Sequence, residues 1–280
     1  MFEEIGYSSL GSQELRDYMA GEAESEYALV DVRQPQEYLA GHIPGARNMP
    51  LPEFGARLGE LDPNARTVLY CQSGGRSRVA ATMAVESEHF AAGLLNLDQG
   101  MNGWDGVAVD QAPRLQVFHG MTDPRQVLLK ALELEKAALL LYNYVAKKAD
   151  KEPVVKLMQD LAGMETAHAK LVYKELAKLG GQELAPFDDL FASLTGDVLE
   201  GGRTIAELKP WVQEALQGGG MEAAELALEI EYTAYDLYRA MAHENSDKAS
   251  GEVFLTLAGQ EKNHGRMILD RLDDLMEPTE

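Results

Sequence analysis

The chain contains a single cysteine, Cys71, in the stretch CQSGGRS at residues 71–77. The residues that follow it are of the kinds that hold an anion. Gly74 and Gly75 let the backbone curl so that successive amides point inward, and Gln72, Ser73 and Ser77 complete a small polar loop. The preceding TVLYC reads as a strand ending at Cys71, and RSRVAATMAVES reads as a helix beginning near Arg76. A helix N-terminus adds partial positive charge and Arg76 a permanent one, so a thiolate at position 71 is easier to form and a sulfur anion easier to hold. The plainer alternative is a small buried thiol at a strand end. With no second cysteine in these 280 residues, an internal disulfide is excluded.

A second set of reactive side chains repeats. At an offset of 96 residues, LELEKAALLLYNYVA (132–146) lies over LEIEYTAYDLYRAMA (228–242), with Glu135 over Glu231 and Tyr142 over Tyr238. The same offset superposes Glu165 on Glu261 and His168 on His264, each pair spaced Glu-x-x-His. Glu135 has Ala131, Leu132, Ala138 and Leu139 at helical spacing, and Glu231 has Ala227, Leu228, Ala234 and Tyr235, so both lie on apolar stripes. Four carboxylates in one core cost several kcal/mol each, of the order known for buried ions, unless cations are present. Glu133, between Lys130 and Lys136, reads instead as a solvent-facing ion-pair residue.

Spacing tests this. The midpoint of Glu135 and Glu165 is Asp150, in the turn signal ADKEP, and that of Glu231 and Glu261 is Ser246, in ENSDKAS. Each pair therefore sits at one height of an antiparallel hairpin. One Glu from each of two helices and Glu-x-x-His from each of the other two is the ligand set of di-iron or di-manganese carboxylate bundles.

The elements that must position these groups divide the chain. Residues 1–112 contain seven arginines and no lysine, whereas all twelve lysines lie between Lys130 and Lys262. Short β-rich runs at 28–32, 67–71 and 94–98 alternate with helical stretches at 12–20 and 76–88, predicting an α/β domain over 1–112 with a mainly parallel sheet. Residues 113–123 read as a linker. Over 124–280 four long apolar stripes, near 125–149, 153–180, 221–244 and 250–276, predict an all-α four-helix bundle, with 181–220 as a crossover carrying a short helix or two.

Residues 1–112 resemble a single rhodanese domain. DVRQPQEYLAGHIPGARNMP (31–50) is similar to that family's signature stretch, CQSGGRS to its active-site loop and DQGMNGW (98–104) to its closing motif. The resemblance implies sulfurtransfer: Cys71 attacks a donor such as thiosulfate, carries a persulfide and passes it to a nucleophilic acceptor, while Arg76 and the loop amides hold the charged species. Four residues separate Cys71 from Arg76, against five in the related phosphatases, which favours sulfur over phosphate. Asp31 and Arg33 are expected to brace the loop and His42 to define the fold. The sequence departs from the family at DQG, where two glycines commonly precede the Met.

Residues 122–278 resemble the ferritin-like superfamily, most closely its rubrerythrin-like branch, which implies a non-haem centre of two iron ions, or manganese, that reacts with peroxide or oxygen. Tyr142 and Tyr238 are then expected to line the site. No rubredoxin-like CxxC pair is present, so electrons would come from an external donor, and Leu228 replaces a further glutamate of that branch, giving a more symmetric centre. The resemblance also implies a homodimer through the bundle.

A net charge of -21 argues against nucleic acid and anionic membranes as partners. The N-terminus lacks a basic and apolar leader, so a cytoplasmic location is expected. The leading expectation is a sulfurtransferase that passes sulfur to an external thiol or partner protein and is joined to a di-iron domain in sulfur, iron or oxidative-stress metabolism. A di-iron peroxidase or ferroxidase with an accessory rhodanese domain, and a sensor or iron-binding protein with one vestigial site, stand as alternatives.

Overall fold

The computed structural model describes residues 6–180, 183–245, 249–272 and 275. The chain divides into two compact units, Met1–Ala112 and Pro113–Glu280.

The first unit runs β1 (Ser8–Leu10), α1 (Ser12–Gly21), β2 (Tyr27–Asp31), α2 (Pro35–Leu39), β3 (Arg47–Asn48), α3 (Leu51–Arg57), β4 (Arg66–Tyr70), α4 (Gly75–Glu86) and β5 (Leu94–Leu97). Its strands form one parallel sheet in the order β1-β5-β4-β2-β3, with Val30 opposite Leu69 and Val68 opposite Leu95. Parallel sheets are covered on both faces, which explains the unbroken apolar runs of β2 and β4. One core holds Leu15, Tyr27, Leu29, Val68, Tyr70 and Leu97. The opposite one holds Val30, Phe54, Leu69, Cys71 and Ala80. Because all strands point the same way, the segments after β2, β4 and β5 emerge at one edge, where open α/β sheets carry their sites. The predicted α/β class holds. The short β1, β3, α2 and α3 carry too few residues for a periodic signal.

The second unit contains α5 (Pro124–Lys148), α6 (Glu152–Lys178), α7 (Phe187–Ser193), α8 (Ile205–Gly218), α9 (Gly220–Glu244) and α10 (Ala249–Asp270). Helices α5 and α6 pair as one hairpin, turning at residues 149–151 around Asp150, and α9 pairs with α10. The second expected turn, at Ser246, lies outside the described residues. Helix α5 starts with Pro124 after an Asp123 cap that accepts from the Arg125 amide at 3.0 Å. Segment 113–123, expected to be a linker, belongs to the helical unit. Residues Leu115–Phe118 form a 3₁₀ turn whose buried Phe118 meets Phe254 edge-on at 5.7 Å. The crossover carries the two short helices α7 and α8. Lys136 does not pair with Glu133: its Nζ donates to the Phe191 and Ala192 carbonyls at 2.7 and 3.0 Å, while Lys130 pairs with Glu133 at 3.0 Å.

Candidate active site and metal centre

Cys71 follows β4 directly and is buried. Gly74, at φ +83°, turns the chain into α4 without any side-chain cap. The first amides of α4 are therefore left without helical partners, and they point at the sulfur. Burial raises the Cys71 pKa, but hydrogen bonds from the Ser77 hydroxyl and from the amides of Ser77, Ser73 and Arg76 outweigh it and hold the thiol below its usual range. The Ser77 hydroxyl is 3.5 Å from Sγ and 3.2 Å from the Gly74 carbonyl.

The charges expected around the sulfur are arranged differently from the simplest reading. Arg76 forms a forked pair with Glu37 of α2, at 2.7 Å for each nitrogen, while remaining within hydrogen-bonding reach of Cys71. Its hydrogen bonds hold the Glu37 carboxyl down at about 2. Arg76 is thus already paired with a carboxylate that sequence reasoning passed over. Gln72 is turned into the scaffold: its Oε1 accepts from Arg33 at 3.2 Å and its Nε2 donates to Asn102 at 2.7 Å. Ser73 and Gly75 are exposed at the loop's rim.

Arg33 is buried and grips Asp31 through Nε and Nη2 at 2.9 and 2.7 Å, while its Nη2 also reaches the Gly41 carbonyl at 2.7 Å. This pair links the ends of β2 and β4 through Gln72. His42 is fully buried, its Nδ1 3.0 Å from the Tyr38 carbonyl oxygen and its ring stacked on Tyr38 at 3.7 Å. On the other side of the loop, the amides of Met101 and Asn102 donate to the carbonyls of Cys71 and Gln72 at 2.8 and 2.9 Å. Gln99, which stands where a second glycine commonly occurs, adopts φ +62°.

In the helical unit, α5, α6, α9 and α10 bring all six proposed ligands together, each of them buried. Donor atoms of Glu165, His168, Glu261 and His264 lie within 4.8 Å of one another. His168 Nδ1 is 3.2 Å from Glu135, 3.4 Å from Glu165 and 3.1 Å from Glu261. His264 Nδ1 is 3.0 Å from Glu231, 3.1 Å from Glu261 and 3.7 Å from Glu165. The two imidazoles stack at 4.6 Å with planes 7° apart, the imprint of the internal repeat. The tyrosines cross over: Tyr142 donates to Glu231 and Tyr238 to Glu135, both at 2.5 Å.

The electrostatics are those of a cation site. Burial opposes charge on His264, yet Glu231 and Glu261 lift its pKa to about 11, and Glu261, Glu135 and Glu165 likewise raise His168. Burial together with neighbouring Glu261 raises Glu165 well above the carboxylate range. Burial lifts Glu231 to about 7 against the pull of His264. Both Glu135 Oε2 and His168 Nδ1 are buried without a hydrogen bond, although oxygens and nitrogens surround them. Ligand atoms gathered around a common point, with unfilled lone pairs, fit a divalent cation. Four carboxylates balance two such ions.

Sequence reasoning missed a further buried carboxylate, Glu200, which accepts from Tyr238 at 3.2 Å. It lies in the crossover, where tests based on helical spacing do not reach. The available signal was LEGG, a glutamate held between a leucine and two glycines.

The rhodanese-like domain family matches residues 12–106 and the rubrerythrin family residues 126–192. Over 99 residues the chain is 44% identical to the HTH-type transcriptional regulator Rv0324 of Mycobacterium tuberculosis, covering 34% of this chain and 42% of that protein. It is 34% identical over 104 residues to a sulfurtransferase of Allochromatium vinosum, covering 37% of this chain and 89% of that one. A solved rhodanese-like domain protein from Staphylococcus aureus shares 24% identity at a TM-score of 0.33, covering 38% of this chain and 99% of that chain. The chain spans about half the length of several curated relatives that it matches.

Proposed function

Because the chain belongs to the rhodanese-like family through its first unit and carries a rubrerythrin domain in its second, we propose that it carries sulfane sulfur on Cys71 and works beside a di-iron centre. The observation that carries the first half is the thiol itself, buried yet acidified by the hydrogen-bond donors converging on it. With thiosulfate, the Cys71 thiolate attacks the outer sulfur. A Cys–S–S bond forms, the donor's S–S bond breaks, and sulfite leaves with the electron pair. The loop amides then hold the terminal persulfide sulfur. An acceptor such as cyanide or an external thiol attacks that sulfur and returns Cys71 to the thiolate. No other cysteine exists in these 280 residues to resolve the persulfide, so the acceptor comes from outside.

In the second unit, Glu135, Glu165, His168, Glu231, Glu261 and His264 would hold two iron ions, which supply electron transfer to peroxide or oxygen when bound. Tyr142 and Tyr238 fix the orientation of Glu231 and Glu135 by hydrogen bonding. An external electron donor, a cytoplasmic location and a homodimer complete the proposal. Among the described residues no helix is long and apolar enough to cross a membrane.

Thiocyanate formation from thiosulfate and cyanide tests the leading reading. The wild-type chain is expected to turn over, and Cys71→Ser to fall to background while keeping its fold. Equal rates for the two proteins would sink the assignment.

A further inference from the structure

Glu200 stands in a turn, not on a helix. Val198 and Thr204 bridge as an antiparallel pair, the Leu199 amide donates to the Arg203 carbonyl at 2.9 Å, and the Gly202 amide donates to the Leu199 carbonyl at 2.8 Å. Leu199 anchors the turn in the apolar core. Gly202 supplies the left-handed φ of +71°, and a Cβ at Gly201 would stand 3.2 Å from Thr233 of α9, so the turn sits directly on that helix. The result is a carboxylate only 3% exposed, delivered into the bundle from outside its four long helices.

Its surroundings do not satisfy it. Glu200 Oε1 shares the Tyr238 hydroxyl with Glu135 Oε1, at 3.2 and 2.5 Å. A phenol carries one proton and can donate to only one of them. Of the other oxygens, Glu135 Oε2 faces His168 Nδ1 at 3.2 Å, whereas Glu200 Oε2 is buried without a hydrogen-bond partner. Two carboxylates on one phenol in a dry core, with one oxygen of Glu200 left unpartnered, call for a cation between or beside them. The arrangement also breaks the internal two-fold symmetry. Among the described residues, the Tyr142 hydroxyl bonds Glu231 alone, and no second carboxylate joins it.

Resting on the two-metal reading above, we propose that Glu200 is a seventh ligand of the centre, binding the metal on the Glu135 side and making the two metal positions inequivalent. It raises the carboxylate count to five, enough to balance five positive charges where the helical set alone balances four.

Cobalt(II) titration of the full chain, followed by visible absorption and by competition with a chelator, tests this with wild type, Glu200→Gln and Tyr238→Phe. Wild type is expected to bind two ions in distinguishable steps. Glu200→Gln should weaken one step by at least about 10-fold, the lower end for perturbed metal sites, and change the cobalt spectrum. Tyr238→Phe should leave both ions bound with smaller spectral change. Thermal unfolding gives an independent sign: metal-free Glu200→Gln should melt at or above metal-free wild type, because a buried carboxylate with one unpartnered oxygen is gone, yet gain less on loading. Two ions bound by Glu200→Gln with wild-type affinity and spectrum would overturn the Glu200 assignment and leave the six-ligand centre standing. A folded wild type that takes up no cobalt or iron would overturn both.

Discussion

Cys71 is acidified by one hydroxyl and three amides, and the hydroxyl can be removed alone. A lowered thiol pKa means that the thiolate, and with it the proposed sulfur transfer, is present at a lower pH than for an ordinary cysteine. Activity should rise with pH and level off once Cys71 has ionised. In Ser77→Ala the lost donor, worth about 1 kcal/mol, should move that rise up by roughly half to one pH unit. Initial rates across pH 5.5–9 check it: the variant is expected to be several-fold slower on the acid side and to converge with wild type on the alkaline side. Superimposable profiles would show that the amides alone set the thiolate. Arg76 contributes less positive charge to the site than its position implies, because Glu37 already occupies both its terminal nitrogens.

At the scale of elements, the active loop is held from two sides by segments that leave neighbouring strands. Arg33, paired with Asp31 at the end of β2, donates to Gln72, and the amides of Met101 and Asn102 after β5 donate to the carbonyls of Cys71 and Gln72. Gly100 is the closest point of approach. It adopts φ +54°, and a Cβ there would stand 2.0 Å from the Cys71 carbonyl oxygen. Gly100→Ala should therefore cost about 2 kcal/mol or more through left-handed strain and the clash together. Chemical denaturation followed by tryptophan fluorescence measures it, since Trp104 donates to the Val107 carbonyl within this segment. Sulfur transfer should fall with it, because the alanine can be accommodated only by moving the loop that carries the thiol. Wild-type stability would mean that the segment is free to yield.

At the scale of the whole chain, two units with separate apolar cores should respond differently to metal. A ligand that binds only the folded state stabilises it by about 2.7 kcal/mol at one hundred times its dissociation constant. Iron(II) loading is expected to raise the helical unit's melting temperature, read from the loss of helical circular dichroism, and chelation to reverse it. Thiocyanate formation at 25 °C should be unaffected by either treatment. A helical transition indifferent to iron would count against the metal centre.

Much of this protein was legible before folding because its signals are local or periodic. Four long stripes indicated the bundle, and the 96-residue repeat with the turn at Asp150 aligned six candidate ligands, since helical rise is constant and a hairpin places equidistant residues at one height. The order of TVLYC, two glycines and a helix start likewise announced a thiol facing unpaired amides. What only the tertiary structure decided are the partners that come from elements without a period. Glu37 sits on a five-residue helix, Lys136 caps the end of α7, Phe118 ties the expected linker into the bundle, and Glu200 rides on a turn. In a sequence an isolated glutamate is read as solvated; burial in a core, with half its oxygens unpartnered, is a property of the packed chain.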